Sequence, residues 1–344
     1  MKSGTATDRL SRSTGNQWLS PISPWLVMLI GALALPILHP NVYHLDVLTT
    51  ALLYALLALG LNIIVGLTGL LHLGYAAFFA IGAYTYGLMN LHWGCPFWVG
   101  WIPAGIVAGI AGACLGLPAL RVRGDYLAIV TLGFGEIVRI GVTNLDRWTG
   151  GPNGLIGVAH PHLWVPGIGD WDFGVESAPY YYLVCLTTAV VAAVCVRLSR
   201  SRIGRAWIAI REDEVAAACA GVPVLQLKLL AQACGGAIAG VAGAIFAAKQ
   251  GAITPDSFDF ILSVMILAMV VLGGLGSIRG AIVGALVLGC LPEVLRGFDR
   301  FRMLVFGAAM ILVIRLRPHG LFGGFERRIR ITPHAQPATP SGRA

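Results

Sequence analysis

Residues 47–65 read VLTTALLYALLALGLNIIV, nineteen consecutive positions without a charged side chain. A helix of this length crosses the hydrocarbon core of a bilayer, which is about 30 Å thick, because each residue adds about 1.5 Å. Nine other apolar runs are of the same kind, although the third, fifth, ninth and tenth are short or broken by glycine and could be half-helices or re-entrant segments. The predicted spans are 20–38, 47–65, 71–89, 97–119, 126–143, 180–196, 226–248, 259–275, 281–295 and 303–315.

The composition agrees with many spans. Of the 344 residues, 57% are hydrophobic and only 12% are charged, whereas soluble domains usually carry about 25% charged residues. So few ions cannot solvate a globular surface, and long apolar runs exclude a disordered chain, a coiled coil or an ordinary cytosolic enzyme. The net charge of +8 does not indicate nucleic-acid binding, because the cations lie at the ends of apolar runs. We expect an all-α polytopic membrane protein.

The distribution of Lys and Arg predicts the orientation. With both termini in the cytoplasm, 18 of the 24 basic residues fall in cytoplasmic segments, five fall outside and Arg139 lies in a span. Cytoplasmic loops normally hold this excess. Ten spans divide into two sets of five with opposite orientation, as in inverted-repeat transporters. The sequence shows no convincing repeat, since Gly66–Gly69 and Gly273–Gly276 are only loosely alike.

The usual catalytic patterns are absent from the sequence. None of the three lysines follows a glycine, so the phosphate-binding loop GxxxxGK[ST] does not occur, and neither do GxSxG or HExxH. The histidines are scattered and the seven cysteines contain no CxxC, which indicates neither a metal site nor a disulfide framework. We expect no cofactor in this chain. If ATP drives the protein, another subunit must hydrolyse it.

The most informative polar stretch lies between the sixth and seventh spans. Residues 203–221 predict one short helix that ends at Gly221, a residue suited to a left-handed C-cap, before Pro223. The expected apolar side of this helix consists of Ile203, Trp207, Ile210 and Val215, and charged residues cluster at 211–214. Such a helix suits docking into a groove on a partner, but a solvated connector at the membrane surface would read the same way.

A second polar pattern lies in the fifth span. Glu136 and Arg139 are three residues apart on one helix face and can pair. A charge at mid-bilayer is costly, so the pair should face protein or water. It either lines a pathway or marks the outer helix end. The turn at 149–154 could present backbone N–H groups to a substrate carboxylate, and Asn62 needs a partner on a neighbouring helix. The candidate pathway residues are Asn62, Tyr126, Gly133, Gly135, Glu136, Arg139 and Asn153.

These residues belong to longer stretches that resemble a known family. The sequence is similar to the membrane permease subunit of branched-chain amino acid ABC importers of the LivM type, over roughly residues 45–322. The matching stretches are residues 60–67, 69–71, 73–75, 81–84, 120–136, 149–154, 203–207, 211–214, 254–258 and 271–277.

The resemblance implies a transport subunit that is not itself an enzyme. It would form the translocation pathway with a second homologous permease in the bacterial inner membrane. Two ABC ATPase subunits would bind ATP beneath it, and a periplasmic substrate-binding protein would deliver leucine, isoleucine or valine. The resemblance also makes 203–221 the coupling helix to the ATPases. The matching residues there are Gly204, Arg205, Arg211, Glu212, Asp213, Glu214 and Gly221.

The expected domain division follows from the spans. Residues 1–19 form a cytoplasmic tail, residues 20–322 the transmembrane permease domain, and residues 323–344 a disordered cytoplasmic tail. Two alternatives to the main hypothesis stay open. One is an ion-coupled secondary transporter in which Glu136, Asp256 or Asp259 titrates, although such a protein does not require the charged helix. The other is an ABC permease for urea or another small amide or amino acid.

Overall fold

The computed structural model describes residues 42–119, 125–165, 169–173 and 177–294, and six isolated positions between 307 and 321. The predicted span 20–38 and the two terminal tails, 1–19 and 323–344, lie outside the described residues, as does most of the predicted span 303–315. Each of the other eight predicted spans overlaps a helix. The fifth, one of the four spans that are short or interrupted by glycine in the sequence, is one continuous helix of 20 residues.

The described chain is mostly helical. The eight long helices are α1 (Val42–Leu61), α2 (Tyr75–Trp93), α3 (Phe97–Ala119), α4 (Asp125–Asn144), α6 (Ser177–Arg200), α9 (Val224–Gln250), α10 (Phe260–Gly273) and α11 (Ile278–Val294). The three short helices are α5 (Asp146–Thr149), α7 (Arg202–Glu212) and α8 (Glu214–Cys219). A π-helical turn, Asn62–Leu67, continues α1, and 3-10 turns occupy Gly151–Asn153 and Pro255–Phe258.

Two small antiparallel sheets lie in the loops. The strands β1 (Leu155–Ile156) and β4 (Ala252–Ile253) pair with each other, and so do β2 (His162–Val165) and β3 (Gly169–Asp172). The β1–β4 pair joins the segment after α5 to the segment after α9. At the same end of α9, Lys249 forms an ion pair with Asp46 at 2.8 Å and donates to Thr50, which ties α9 to the start of α1.

Six helical segments are long and apolar enough to cross a membrane by length and composition. They are Val42–Leu67, Phe97–Pro118, Tyr126–Asn144, Ala178–Arg200, Val224–Gln250 and Pro255–Gly273. Helices of this length satisfy all interior backbone groups within one segment, which a bilayer requires. The described part of the chain is therefore a multi-pass membrane protein.

Helix α9 is the centre of the bundle, and it packs closely along α2 and α3. Gly82 of α2 has no room for a Cβ because the backbone of Gly240 of α9 touches it, and Gly240 in turn lies against the backbone of Ala104 in α3. Lipid is as apolar as the protein interior, so helices in a membrane gain mainly from close packing between small residues. Helix α1 packs against α9 and is flanked by α6 and α11.

The stretch 203–221 is not the single helix that the sequence predicts. Asp213 has an extended backbone, with φ −155° and ψ 112°, and separates α7 from α8. Its carboxylate accepts hydrogen bonds from the backbone N–H groups of Val215 and Ala216, which makes it the N-cap of α8. The prediction was wrong because aspartate stabilises a helix start more than a helix interior.

The break also changes which side chains are buried. Trp207 and Ile210, on the predicted apolar side, are buried within this chain, but Val215 is 66% exposed, because the helix is interrupted before it at Asp213. The predicted end of the segment is confirmed. Gly221 has a φ of +81°, and the N–H groups of Gly221 and Val222 bond to the carbonyls of Ala218 and Ala217. These two bonds are the Schellman pattern of a helix C-terminus.

The contact between α2 and α9 predicts a sharp difference between two glycines. Gly82→Ala should destabilise the chain by about 1–3 kcal/mol, because the added methyl group meets the Gly240 backbone. The matched control is Gly141→Ala in α4, where a Cβ has nothing within 4 Å and alanine favours a helix by about 1 kcal/mol. Thermal unfolding of the purified chain in detergent measures both. Equal stability of the two variants would contradict this packing.

Candidate functional site

Helix α7 is packed into the membrane body rather than lying beside it. Trp207 is fully buried and its Nε1 donates to the carbonyl oxygen of Leu227, at the start of α9, at 2.8 Å. Its neighbours come from the π-helical turn and from α6, α8 and α9. The buried cluster consists of Ile63, Leu67, Cys195, Trp207, Ile210, Ala217 and Ala231. The arrangement fixes α7 to three membrane helices, which a solvated connector does not require.

The four charged residues at 211–214 have different surroundings. Asp213 caps α8, and Glu214 forms an ion pair of 2.7 Å with the buried Lys228 of α9. Arg211 points into the protein and donates from Nη1 to the carbonyl oxygen of Gly66 at 2.7 Å. Glu212 is exposed and, within the described ranges, makes no ion pair. Three of these side chains hold α7 and α8 in place, and Glu212 presents its charge to the surroundings.

Arg211 reaches a place where two chain breaks meet, which we call the glycine junction: Asn62, Gly66, Gly69, Arg211 and Gly276. Asn62 is 1% exposed, and its Oδ1 accepts a hydrogen bond of 2.9 Å from the N–H of Gly276. The predicted need of Asn62 for a partner is therefore met by a backbone group 214 residues away, in the loop between α10 and α11.

A side chain is disfavoured at each of the three glycines of this junction, by overlap at Gly66 and by tight contacts with positive φ at Gly69 and Gly276. A Cβ on Gly66 would overlap the amide oxygen of Asn62 and lie 2.5 Å from the nitrogen of Gly276. On Gly69 and Gly276 it would lie 3.1 Å and 3.0 Å from atoms of Arg211, and both glycines have positive φ. The two glycine segments that look only loosely alike in sequence are thus packed against each other.

The π-helical turn was not predicted from the sequence. Its wider hydrogen-bonded turn shifts the backbone hydrogen bonds at the end of α1. There the N–H of Leu70 donates to the carbonyl of Ile64, and the N–H of Gly69 donates to the carbonyl of Val65. The carbonyl of Gly66 is left for Arg211. Turns of this type are rare and occur frequently at functional sites. The only local feature of the sequence that could have indicated this turn is the pair Asn62 and Gly66, four residues apart in an otherwise apolar run.

The polar face of α4 is the second part of the site. The predicted pair forms, with Arg139 Nε at 3.0 Å from Glu136 Oε2, and Arg139 Nη1 lies 3.9 Å from Asp256 Oδ1 in the 3-10 turn before α10. Glu136 lies near the middle of α4, eight residues before Asn144. Next to it, Gly135 lies against Gly74 at the start of α2. The pair with Asp256 could not be seen in the sequence.

A small cavity lies beside Glu136, between the N-terminal ends of α2 and α10. Its lining includes Gly74, Glu136, Asp259 and Ser263. Side-chain oxygens accept hydrogen bonds from the backbone N–H groups around this cavity. Thr131 accepts from Leu73, Ser263 accepts from Ala76, and Asp259 accepts from Leu262. Asp259 is therefore an N-cap in this structure.

Of the other predicted pathway residues, Tyr126 and Asn153 lie apart from Glu136, whereas Gly133 is one turn before it on α4. Tyr126 is 71% exposed near the start of α4, and Gly133 has nothing within 4 Å of its Cβ position. Asn153 is exposed in the 3-10 turn after α5, whose following residue, Gly154, lies against β4. The structure brings Gly135, Glu136 and Arg139 together, and it places Asn62 at the glycine junction instead.

Metal ligands and disulfides are not found in the described chain. Within residues 42–294, outside its undescribed gaps, no group of three or more His, Cys, Asp or Glu side chains could hold an ion. All seven cysteines lie in described positions and are free thiols.

Comparisons with known proteins give a consistent result. A family model described as the permease component of the branched-chain amino acid transport system matches residues 43–314. The high-affinity branched-chain amino acid transport system permease protein LivM of Salmonella typhimurium is 44% identical over 86% of this chain and 73% of its own length. LivM of Escherichia coli K12 is 45% identical, over 80% and 69%. LivH of the same strain is 27% identical, over 78% and 91%. No solved structure matches the chain.

The attachment of α7 predicts a large effect of its buried tryptophan. Trp207→Ala should cost about 3–5 kcal/mol of stability, the range for removal of a large buried aromatic side chain. Ile208→Ala, on the exposed side of the same helix, should cost less than about 1 kcal/mol. Unfolding followed by circular dichroism in detergent compares the two. A stability loss at Trp207 no greater than at Ile208 would show that α7 is not anchored by this side chain.

Proposed function

The chain belongs to the family of branched-chain amino acid transport permeases, and on that premise we propose that it is the membrane-spanning subunit of an ATP-driven importer of leucine, isoleucine or valine. The match covers nearly all of the described chain, and the relatives that are 44–45% identical are both LivM permeases. The observation that carries the proposal is helix α7, which is fixed to the membrane body on one side and exposed on the other.

Separate ATPase subunits supply the energy in this proposal. The sequence lacks a phosphate-binding loop, so the chain needs a partner that binds and hydrolyses ATP. A helix that is packed against several membrane helices moves together with them when a partner displaces it. The exposed surface of α7, with Glu212 at its end, is the docking surface for such a partner.

A second, homologous permease completes the pathway. Helix α4 is the least covered of the six apolar helices, and Tyr126, Ile129, Gly133 and Ile137 are on its exposed face. The polar pair Glu136–Arg139 lies on the same helix, where a charge needs protein or water beside it. The chain is similar to both LivM and LivH, which supports a partner of related fold against this face.

The full body has ten spans in two inverted halves of five in this proposal. Eight are the long helices of the described chain, and 20–38 and 303–315 supply the first and the last. Both termini lie in the cytoplasm of a bacterium and the body lies in its inner membrane. The excess of Lys and Arg around α7 supports this orientation. A periplasmic substrate-binding protein then delivers the amino acid to the opposite end of the bundle.

The energy source and the substrate class can be tested together. The tagged chain is purified with its native partners and reconstituted into proteoliposomes that contain ATP, with the substrate-binding protein outside. We expect uptake of leucine, isoleucine or valine that requires ATP and is unchanged by an uncoupler. Uptake by the chain alone on a proton or sodium gradient would establish the ion-coupled alternative. ATP-dependent uptake of urea or acetamide, without uptake of branched-chain amino acids, would show that the substrate is a small amide instead.

The docking surface of α7 has its own test. Glu212→Arg should reduce co-purification of the ATPase subunits about tenfold or more, because reversing a charge in a matched interface weakens binding by at least about 1.4 kcal/mol. The melting temperature of the chain should not change, since Glu212 makes no ion pair with the described residues. The matched control is Arg147→Glu, an exposed charge after α4 at the other end of the bundle. Equal ATPase recovery in both variants would remove Glu212 from the interface.

A further inference from the structure

We propose that Arg211 is a positioning residue that couples α7 to both chain breaks of the glycine junction, and that it is not a contact for the ATPase partner. The inference rests on the proposed function and deepens it. In this inference, the Arg211 side chain transmits movement of α7 to the membrane helices.

The first support is the direction in which Arg211 points. Its Nη1 is 2.7 Å from the carbonyl oxygen of Gly66 in the π-helical turn, and its Cγ lies beside Gly69. These contacts place the guanidinium between α7 and the end of α1. The neighbouring Glu212 is exposed instead. Of these two consecutive residues of α7, the positively charged Arg211 points into the protein and the negatively charged Glu212 faces the surroundings.

The second support is the chain segment after α10, which adjoins the same guanidinium nitrogen. Gly276 lies three residues after the end of α10. A Cβ on Gly276 would lie 3.0 Å from Arg211 Nη1 and 3.1 Å from the carbonyl oxygen of Gly66. The N–H of the same Gly276 donates to Asn62. The end of α1 and the segment after α10 are thus joined to each other by Asn62, and both lie against Arg211.

Electrostatics favours a cation at this place. The π-helical turn that continues α1 ends at Leu67, and α10 ends at Gly273, so both helices direct their C-terminal ends toward the junction. The carbonyls at a helix C-terminus carry a partial negative charge, and arginine offers a fork of five donors with a permanent positive charge. One guanidinium therefore lies at the C-terminal ends of two helices that are far apart in the sequence.

The mechanical consequence follows from the attachment of α7. Trp207 fixes the helix to the start of α9, and Arg211 fixes it to the junction. A displacement of α7 must either carry Gly66 and Gly276 with it or break the bond to Gly66. The π-helical turn and the positive-φ glycines on both sides are the positions at which the ends of α1 and α10 can bend.

The test compares Arg211→Ala, Arg211→Lys and the control Arg197→Ala in the reconstituted complex. Arg197 is an exposed arginine in the last turn of α6, outside α7 and outside the glycine junction. We expect Arg211→Ala to bind the ATPases in normal amounts but to transport at least about fivefold less amino acid per ATP hydrolysed. Arg211→Lys, which keeps one donor and the charge, should recover part of this ratio. Arg197→Ala should keep the wild-type ratio.

Two outcomes would overturn the inference. One is a wild-type ratio of transport to hydrolysis in Arg211→Ala. The other is loss of ATPase binding from Arg211→Ala that matches the loss from Glu212→Arg, which would make Arg211 a docking residue.

A readout that needs no ATPase separates this inference from the proposed function. Hydrogen exchange of residues 62–70 and 274–278 in the purified chain should become faster in Arg211→Lys, the more conservative of the two Arg211 variants, and should not change in Arg197→Ala. Unchanged exchange in both segments would contradict the contact itself. If wild-type proteoliposomes show no ATP-driven uptake while exchange responds as expected, the proposed function fails and the junction stands.

Discussion

Membrane depth provides no water for backbone hydrogen bonds, and this constraint accounts for much of the structure. A polar backbone group without a partner costs several kcal/mol in hydrocarbon. Between α1 and α2 and between α10 and α11 the chain leaves helical geometry, and buried backbone groups there need partners of another kind. Side chains far away in sequence supply the missing partners. Thr131 accepts from Leu73, Ser263 accepts from Ala76, and Asn62 accepts from Gly276.

The same constraint explains where the molecule is rigid and where it is open. Glycines let α2, α3 and α9 approach until their backbones touch, which gives a body with little freedom to deform. Helix α4 is attached to that body mainly along α2 and keeps most of its surface uncovered. The polar pair Glu136–Arg139 is on this open helix. In the proposed importer, the stiff body would support this half-exposed polar pair against the second permease.

In the segment formed by α7 and α8, neighbouring residues have different structural roles. Trp207 and Ile210 anchor it, Asp213 turns the chain, and the ion pair of Glu214 with Lys228 holds α8 against α9. A cluster of charges that looks uniform in sequence therefore separates into three side chains with partners inside the protein and one carboxylate, Glu212, that makes no ion pair with the described residues.

The sequence by itself determined the features that depend on local spacing. The length of the apolar runs placed eight helices of the described chain, the i, i+3 spacing predicted the Glu136–Arg139 pair, and Gly221 marked a helix end. Its long ordered motifs also identified the family, which the match over residues 43–314 confirmed. These features follow from contacts within one or two helical turns, or from a whole pattern of residues.

Only the tertiary structure decided the break at Asp213, the exposure of Val215, and the partners of Asn62 and Arg211. Residues 62 and 276, or 66 and 211, are too far apart in the chain for any periodic pattern to relate them. Their pairing is decided by how closely whole helices pack, because that distance determines which backbone groups are left without a partner.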